Sequence, residues 1–292
     1  MDKNNSLVVN ARLGGVAFSA MIILYLVITV IGQSIILLIG DVMSVAAIAI
    51  SSTFSSLAII FALASVSFKT GAKIKDTCGI KKFNPVYILL SLLFSFSMFF
   101  GLGFVNSGIS SILEKIGLNQ SSIYFPLENS FHLILFSFTF ALLPAIFEEL
   151  FFRGVIFGSV RNGGIIFSAL FSSLFFALYH CSLVQFFYQF IYGVGLCLIK
   201  DISKSVIPAM VSHFINNFAV ILLQYFKVNI DLNNAIVIAL GIIGLIAFSV
   251  ICYIKLRKTA EEKNKGAVQE FLLPYGLVGG CACLALLILG LF

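Results

Sequence analysis

Polar residues in this chain are confined to short breaks, and the apolar runs between the breaks are long. Nine runs can be marked, at about 15–40, 43–68, 86–104, 131–158, 165–180, 184–199, 205–226, 235–254 and 271–292. A helix of roughly 20 apolar residues crosses the ~30 Å of a bilayer's hydrocarbon. The breaks carry turn signals: Asp41 after the first run, Asn84-Pro85 before the third, and Arg161-Asn-Gly-Gly164 after the fourth. The stretch 105–130 is richer in Ser, Asn and Gly, holds Glu114, Lys115 and Glu128, and has room for a short interfacial helix. The expected fold is an all-α polytopic membrane protein, a bundle of about 8–9 transmembrane helices with a polar intramembrane cavity. We mark residues 1–130 as N-terminal spans and outer loop, 131–226 as a core, and 227–292 as C-terminal spans.

Composition agrees. Of 292 residues, 60% are hydrophobic and only 10% charged, with a mean hydropathy of +1.11, which excludes an ordinary soluble domain. The first run is too long for a signal-peptide core and is read as retained. The net charge of +6 comes from loops rather than from a nucleic-acid face. Lys3 and Arg12, then Lys69 to Lys82, then Arg161, then Lys200 and Lys204, then Lys255 to Lys265 all fall on one side if the spans alternate; Lys115 and Lys227 fall opposite. By the positive-inside bias that side, and the N-terminus, is cytoplasmic. The six cysteines show no CxxC spacing and read as small hydrophobes.

One run breaks the pattern. In Ala145-Ile-Phe-Glu148-Glu149-Leu-Phe-Phe-Arg153-Gly154, two carboxylates and a guanidinium sit among apolar neighbours. A charge at a membrane-helix centre costs about 2.5–3.5 kcal/mol, so three left unpaired cost roughly 10 kcal/mol. Glu149 and Arg153, four apart, share a helix face and form an ion pair with the acid N-terminal. Glu148 is about 100° away around the helix and has no partner there.

Of three histidines, His132 opens the fourth run, where an interfacial imidazole needs no special role. His180 closes the fifth run, and His213 lies in the seventh with Asn217 one turn on. If runs four and five form a hairpin turning near Gly164, Glu148 lies 16 residues before the turn and His180 16 after it. At about 1.5 Å per residue both stand ~24 Å from the turn, side by side. A Glu and a His level across a hairpin, beside a His/Asn face, point to a functional site.

Glu148-Glu149-x-x-x-Arg153, Phe176-x-x-x-His180 and His213-x-x-x-Asn217, in this order on successive helices, resemble the CPBP family. These are the CAAX prenyl proteases of the second type and the related bacteriocin-processing and immunity membrane proteins. The resemblance covers about 131–220 and implies an intramembrane endopeptidase acting on a membrane-bound or hydrophobic peptide. It makes Glu148, with His180, the activator of a water, His213 and Asn217 the oxyanion donors, and Glu149 with Arg153 structural support. Such roles suit the groups: a general base needs a carboxylate within reach of the water, and an oxyanion needs donors already aimed at it. The cofactor is either none or Zn²⁺ held by Glu148, His180 and His213, and the absence of HExxH tilts the reading to metal-free. Two other readings stay open: a non-proteolytic immunity or binding member of the family, and an ion- or proton-coupled transporter.

Overall fold

The computed structural model describes residues 9–40, 44–118, 125–256, 270–272 and 276–289. The expected turn at Asp41, Lys3, and the basic residues from Arg257 to Lys265 lie outside the described residues. The described residues hold helices and no strand. In order they are α1 (Ala11–Ile39), α2 (Val45–Ser52), α3 (Phe54–Thr70), the short α4 (Ile74–Cys78), α5 (Val86–Lys115), the long α6 (Ser130–Gly163), α7 (Ile165–Tyr179), α8 (Leu183–Ser203), α9 (Ile207–Tyr225), α10 (Ala235–Leu256) and α11 (Leu277–Leu289). The α2–α3 pair counts as one span, and among the described residues seven spans are long and apolar enough to cross a membrane; α7 and α11 are shorter apolar helices. The protein is a multi-pass α-helical membrane protein.

Two boundaries differ from expectation. The second span is broken at Thr53, where three successive hydroxyls, on Ser51, Ser52 and Thr53, bond back to carbonyls of their own helix, a habit that bends helices. The third span does not stop at 104. Its helix runs on to Lys115, because the residues there, although polar, include nothing that denies a helix its N–H.

The basic breaks that share a side in the sequence share an end in space. Val206 donates its N–H to the Gly79 carbonyl at 3.1 Å, Ser205 Oγ donates to the Lys81 carbonyl at 2.8 Å, and Arg161 grips Asp201 at 2.7 Å. The start of α1 belongs to the same end, where Gly14 abuts Ser159. At the other end Phe125 donates to Gln224 Oε1 and Ser130 meets Tyr225.

Packing is close wherever glycine allows it. Gly101 on α5 and Gly241 on α10 stand backbone to backbone, leaving no room for a Cβ on Gly241. That is the small-residue helix contact membranes favour. Buried Cys78 packs on Gly154, and burial pushes its thiol up to about 12. The described cysteines are all free.

Candidate active site

The site begins with an irregularity in α6. The helix carries two π-helical stretches, Ser137–Leu142 and Glu149–Ile156, on either side of the α-helical turn Leu143–Glu148. Such widened turns inside α-helices are rare and cluster at functional sites. Pro144, in that central turn, has no N–H to give the carbonyl four residues back. The first π stretch therefore ends where a regular ladder could not continue.

Glu149 and Arg153 pair as their spacing predicts, at 2.8 Å and fully buried. The sequence offered nothing on what else they touch. The Arg153 guanidinium lies over the Phe176 ring, 4.0 Å from its centroid, a stacking that a desolvated cation favours. Gly193 on α8 makes room for it, since a Cβ there would lie 3.3 Å from Arg153 Nη2. Glu149 Oε1 also meets His213 Nδ1 at 2.8 Å. Glu149 thus ties α6 to α9, a second duty beside the ion pair.

His213 stands between the two carboxylates. With Nδ1 on Glu149, its Nε2 faces Glu148 Oε2 at 3.9 Å. That is beyond a hydrogen bond yet short enough for one water to serve both groups. Glu148 is 6% exposed, and neither its Oε2 nor Glu149 Oε2 has a hydrogen-bond partner. Arg153 Nε and Nη2 are likewise unpartnered. Buried polar atoms without partners are rare, and four of them gathered here mark a place built to receive polar atoms.

His180 caps the C-terminus of α7. Its ring Nδ1 lies 2.8 Å from the Phe176 carbonyl. A carbonyl only accepts, so Nδ1 carries the proton and Nε2 is left as an acceptor. At 15 residues, α7 is about 22 Å long, shorter than the ~30 Å of a bilayer's hydrocarbon. Cys181 at that tip adopts φ +48°, an uncommon conformation for a residue with a side chain.

It is Tyr179 whose hydroxyl is set against the Glu148 carboxylate, with Ser55 of α3 on its other side. Among the described residues Glu148 and His180 share no direct hydrogen bond. Asn217, expected at the oxyanion, donates from Nδ2 to the Phe140 carbonyl at 3.2 Å. His132 stays out of the site and belongs to the Asn129 cap that starts α6.

Sequence reading missed Tyr179, and it missed the neighbours of Asn217. Tyr188 OH donates to Asn216 Oδ1 at 2.6 Å, and Ser95, Ser212 and Tyr192 form a second buried cluster beside it. The available signal was hydroxyl and amide residues at helical spacing on α5, α8 and α9, which composition alone makes look ordinary.

For a metal, the two histidines have the usual disposition, Nδ1 held and Nε2 free. Yet among the described residues no group of three or more His, Cys, Asp or Glu side chains is placed to hold an ion. The three candidate ligands do not fit one in this arrangement.

Residues 130–219, which span α6 to most of α9, match the family model described as Type II CAAX prenyl endopeptidase Rce1-like. This core is similar to the type II CAAX prenyl endopeptidases. The matched segment contains every residue of the carboxylate, histidine and asparagine cluster. No curated protein and no solved structure matches the chain. The family is one of membrane peptidases, and its activity at the level of peptide-bond hydrolysis is what the match supports.

Proposed function

We propose that the protein is an intramembrane endopeptidase that hydrolyses a peptide bond of a membrane-associated or hydrophobic peptide through a water activated by Glu148 and His180. The observation that carries the reading is the gap between His213 Nε2 and Glu148 Oε2, 3.9 Å wide and bounded by an unpartnered carboxylate oxygen. A water there can give its proton to Glu148, and His180 Nε2 can accept its second O–H. The hydroxide then adds to the scissile carbonyl carbon, and Glu148 passes the proton to the leaving amine.

The oxyanion needs donors. His213 supplies one when its ring is protonated, with Nδ1–H held by Glu149 and Nε2–H turned to the reacting carbonyl. Glu148⁻, Glu149⁻, Arg153⁺ and His213⁺ then balance in charge, which a low-dielectric site requires. Asn217 offers the amide hydrogen that Phe140 does not take. Glu149 therefore supports the chemistry as well as the helix, by fixing which nitrogen of His213 faces the substrate. No step passes through a metal.

By the basic-loop bias the N-terminus and the end of the bundle holding Arg161 and Lys204 face the cytoplasm. The test is cleavage of a hydrophobic peptide by the purified, reconstituted protein with Glu148→Gln as the control. Cleavage that vanishes in the variant supports the reading, and equal cleavage by both proteins overturns it. Binding without turnover by the wild type would instead favour the immunity-type member of the family.

A further inference from the structure

We infer that Lys200 and Lys204, at the end of α8, bind the phosphate of an anionic phospholipid whose acyl chains lie along the exposed face of α7. The inference goes beyond the peptidase reading and does not depend on it.

The charges at this end of the bundle do not balance. Arg161, at the end of α6, grips Asp201 with two prongs, Nε to Oδ1 at 2.7 Å and Nη2 to Oδ2 at 3.2 Å. Such a grip matches one cation to one carboxylate. The Lys204 ammonium stands 3.7 Å from Asp201 Oδ2, on a side chain that is 64% exposed. That is beyond a hydrogen bond. Lys200 makes no hydrogen bond or ion pair among the described residues. Its ammonium lies over the Phe157 ring, 4.9 Å from the centroid, and the side chain is partly buried, with Gly79 beside its Cε. Three cations therefore share one acid. Helix dipoles do not absorb the surplus. Lysines in a helix's last turn usually answer the negative end of its dipole. Here α6 ends where α7 begins and α8 ends where α9 begins, so each negative end has the positive end of the next helix beside it.

Two positive charges are thus left at the rim of the membrane, one of them partly desolvated against an aromatic ring. A cation drawn out of water without a counter-ion is costly, and basic pockets between transmembrane helices on the cytoplasmic side are where lipid headgroups bind. The surface beside the cations commits the anion to a lipid. Phe157, Ala169 and Cys197 pack together, which sets the last turns of α8 against the first turns of α7. From there Ile166, Phe167, Leu170 and Leu174 are exposed, and at spacings of three and four they form one stripe along α7. A phospholipid with its phosphate at Lys200 and Lys204 and its chains on this stripe meets both surfaces. A free phosphate ion meets only the first.

The test is thermal unfolding of the full-length protein in a nonionic detergent, titrated with phosphatidylglycerol, phosphatidylcholine or inorganic phosphate. Phosphatidylglycerol should raise Tm by about 2–4 °C, and the other two should leave it where it was. Lys200→Gln and Lys204→Gln should each raise the phosphatidylglycerol concentration at half-effect about fivefold, the scale of one cation lost from a lipid contact. Lys255→Gln removes a cation from the end of α10, outside the cluster, and should respond as the wild type does. No response of the wild type to phosphatidylglycerol overturns the site. So does an equal response of the Lys200→Gln and Lys255→Gln proteins, which would make the basic charge topology alone. An equal response to inorganic phosphate overturns the assignment to a lipid. If Lys200→Gln cannot be purified, Lys204→Gln decides, because its side chain is exposed: a fivefold shift supports the site and a wild-type response overturns it. Turnover is not read, so the outcome leaves the peptidase reading to its own test.

Discussion

Glu148 and Glu149 are adjacent in the chain and lie in opposite halves of the pocket. On the Glu149 side the carboxylate is already held, its Oε1 meeting both Arg153 and His213 at 2.8 Å, and the Phe176 ring lies over the guanidinium. On the Glu148 side the imidazole Nε2 of His213 stands off at 3.9 Å, and the facing oxygen has no partner. One half is built to stay as it is, and the other to take in something new. Burial does not separate them, since both acids are buried. What separates them is whether the structure has already satisfied the charge.

The comparison is broken most easily at Glu148. Glu148→Gln keeps the shape and removes the base, so turnover in a reconstituted cleavage assay should fall by at least ~10²–10⁴, with Tm near that of the wild type. Glu149→Ala acts on stability instead. It leaves Arg153 buried without a counter-ion and frees His213, a loss of about 3–5 kcal/mol for a broken buried pair, read as a lower denaturation midpoint with activity falling in step. Exchanging the charges, Glu149→Arg with Arg153→Glu, tests the second duty of Glu149. A plain ion pair would be largely restored by the exchange. Because the new guanidinium would face His213 Nδ1, the double variant should recover little stability and no turnover; full recovery of both would show that the His213 contact is dispensable.

Tyr179→Phe is a smaller change on the open side. Losing a hydroxyl set against Glu148 should alter kcat about fivefold, the scale of one hydrogen bond worth ~1 kcal/mol, and leave Tm within a degree or two. The smallest expected effect is that of exhaustive chelation, which should leave cleavage as it was. Loss of activity restored only by zinc would make His180 and His213 ligands and revise the proposal.

Much of this was legible in the chain. The apolar runs marked most of the spans to within a few residues, the third excepted, because lipid leaves a membrane helix little choice of composition. The i,i+4 rule found the Glu149–Arg153 pair, and counting residues from Gly164 brought the end of α7 level with Glu148. What was not legible lies between helices distant in sequence. The Glu149–His213 contact joins residues 64 apart, and the Asn217–Phe140 contact joins residues 77 apart; no periodicity encodes which faces meet. The π turns were also hidden, since Pro144 announces a break but not how the backbone absorbs it. The equal-depth count assumed regular helices, and α6 is π-helical over two stretches.

The most direct test sets the two acids side by side: Glu148→Gln and Glu149→Ala in the full-length reconstituted protein, with Tm and turnover measured on the same preparations. The account predicts a Glu148→Gln protein as stable as the wild type and at least ~10²-fold slower, and a Glu149→Ala protein that melts several degrees lower. A Glu149→Ala protein that is well folded and inactive, beside a Glu148→Gln protein that unfolds, would contradict it and exchange the roles of the two carboxylates.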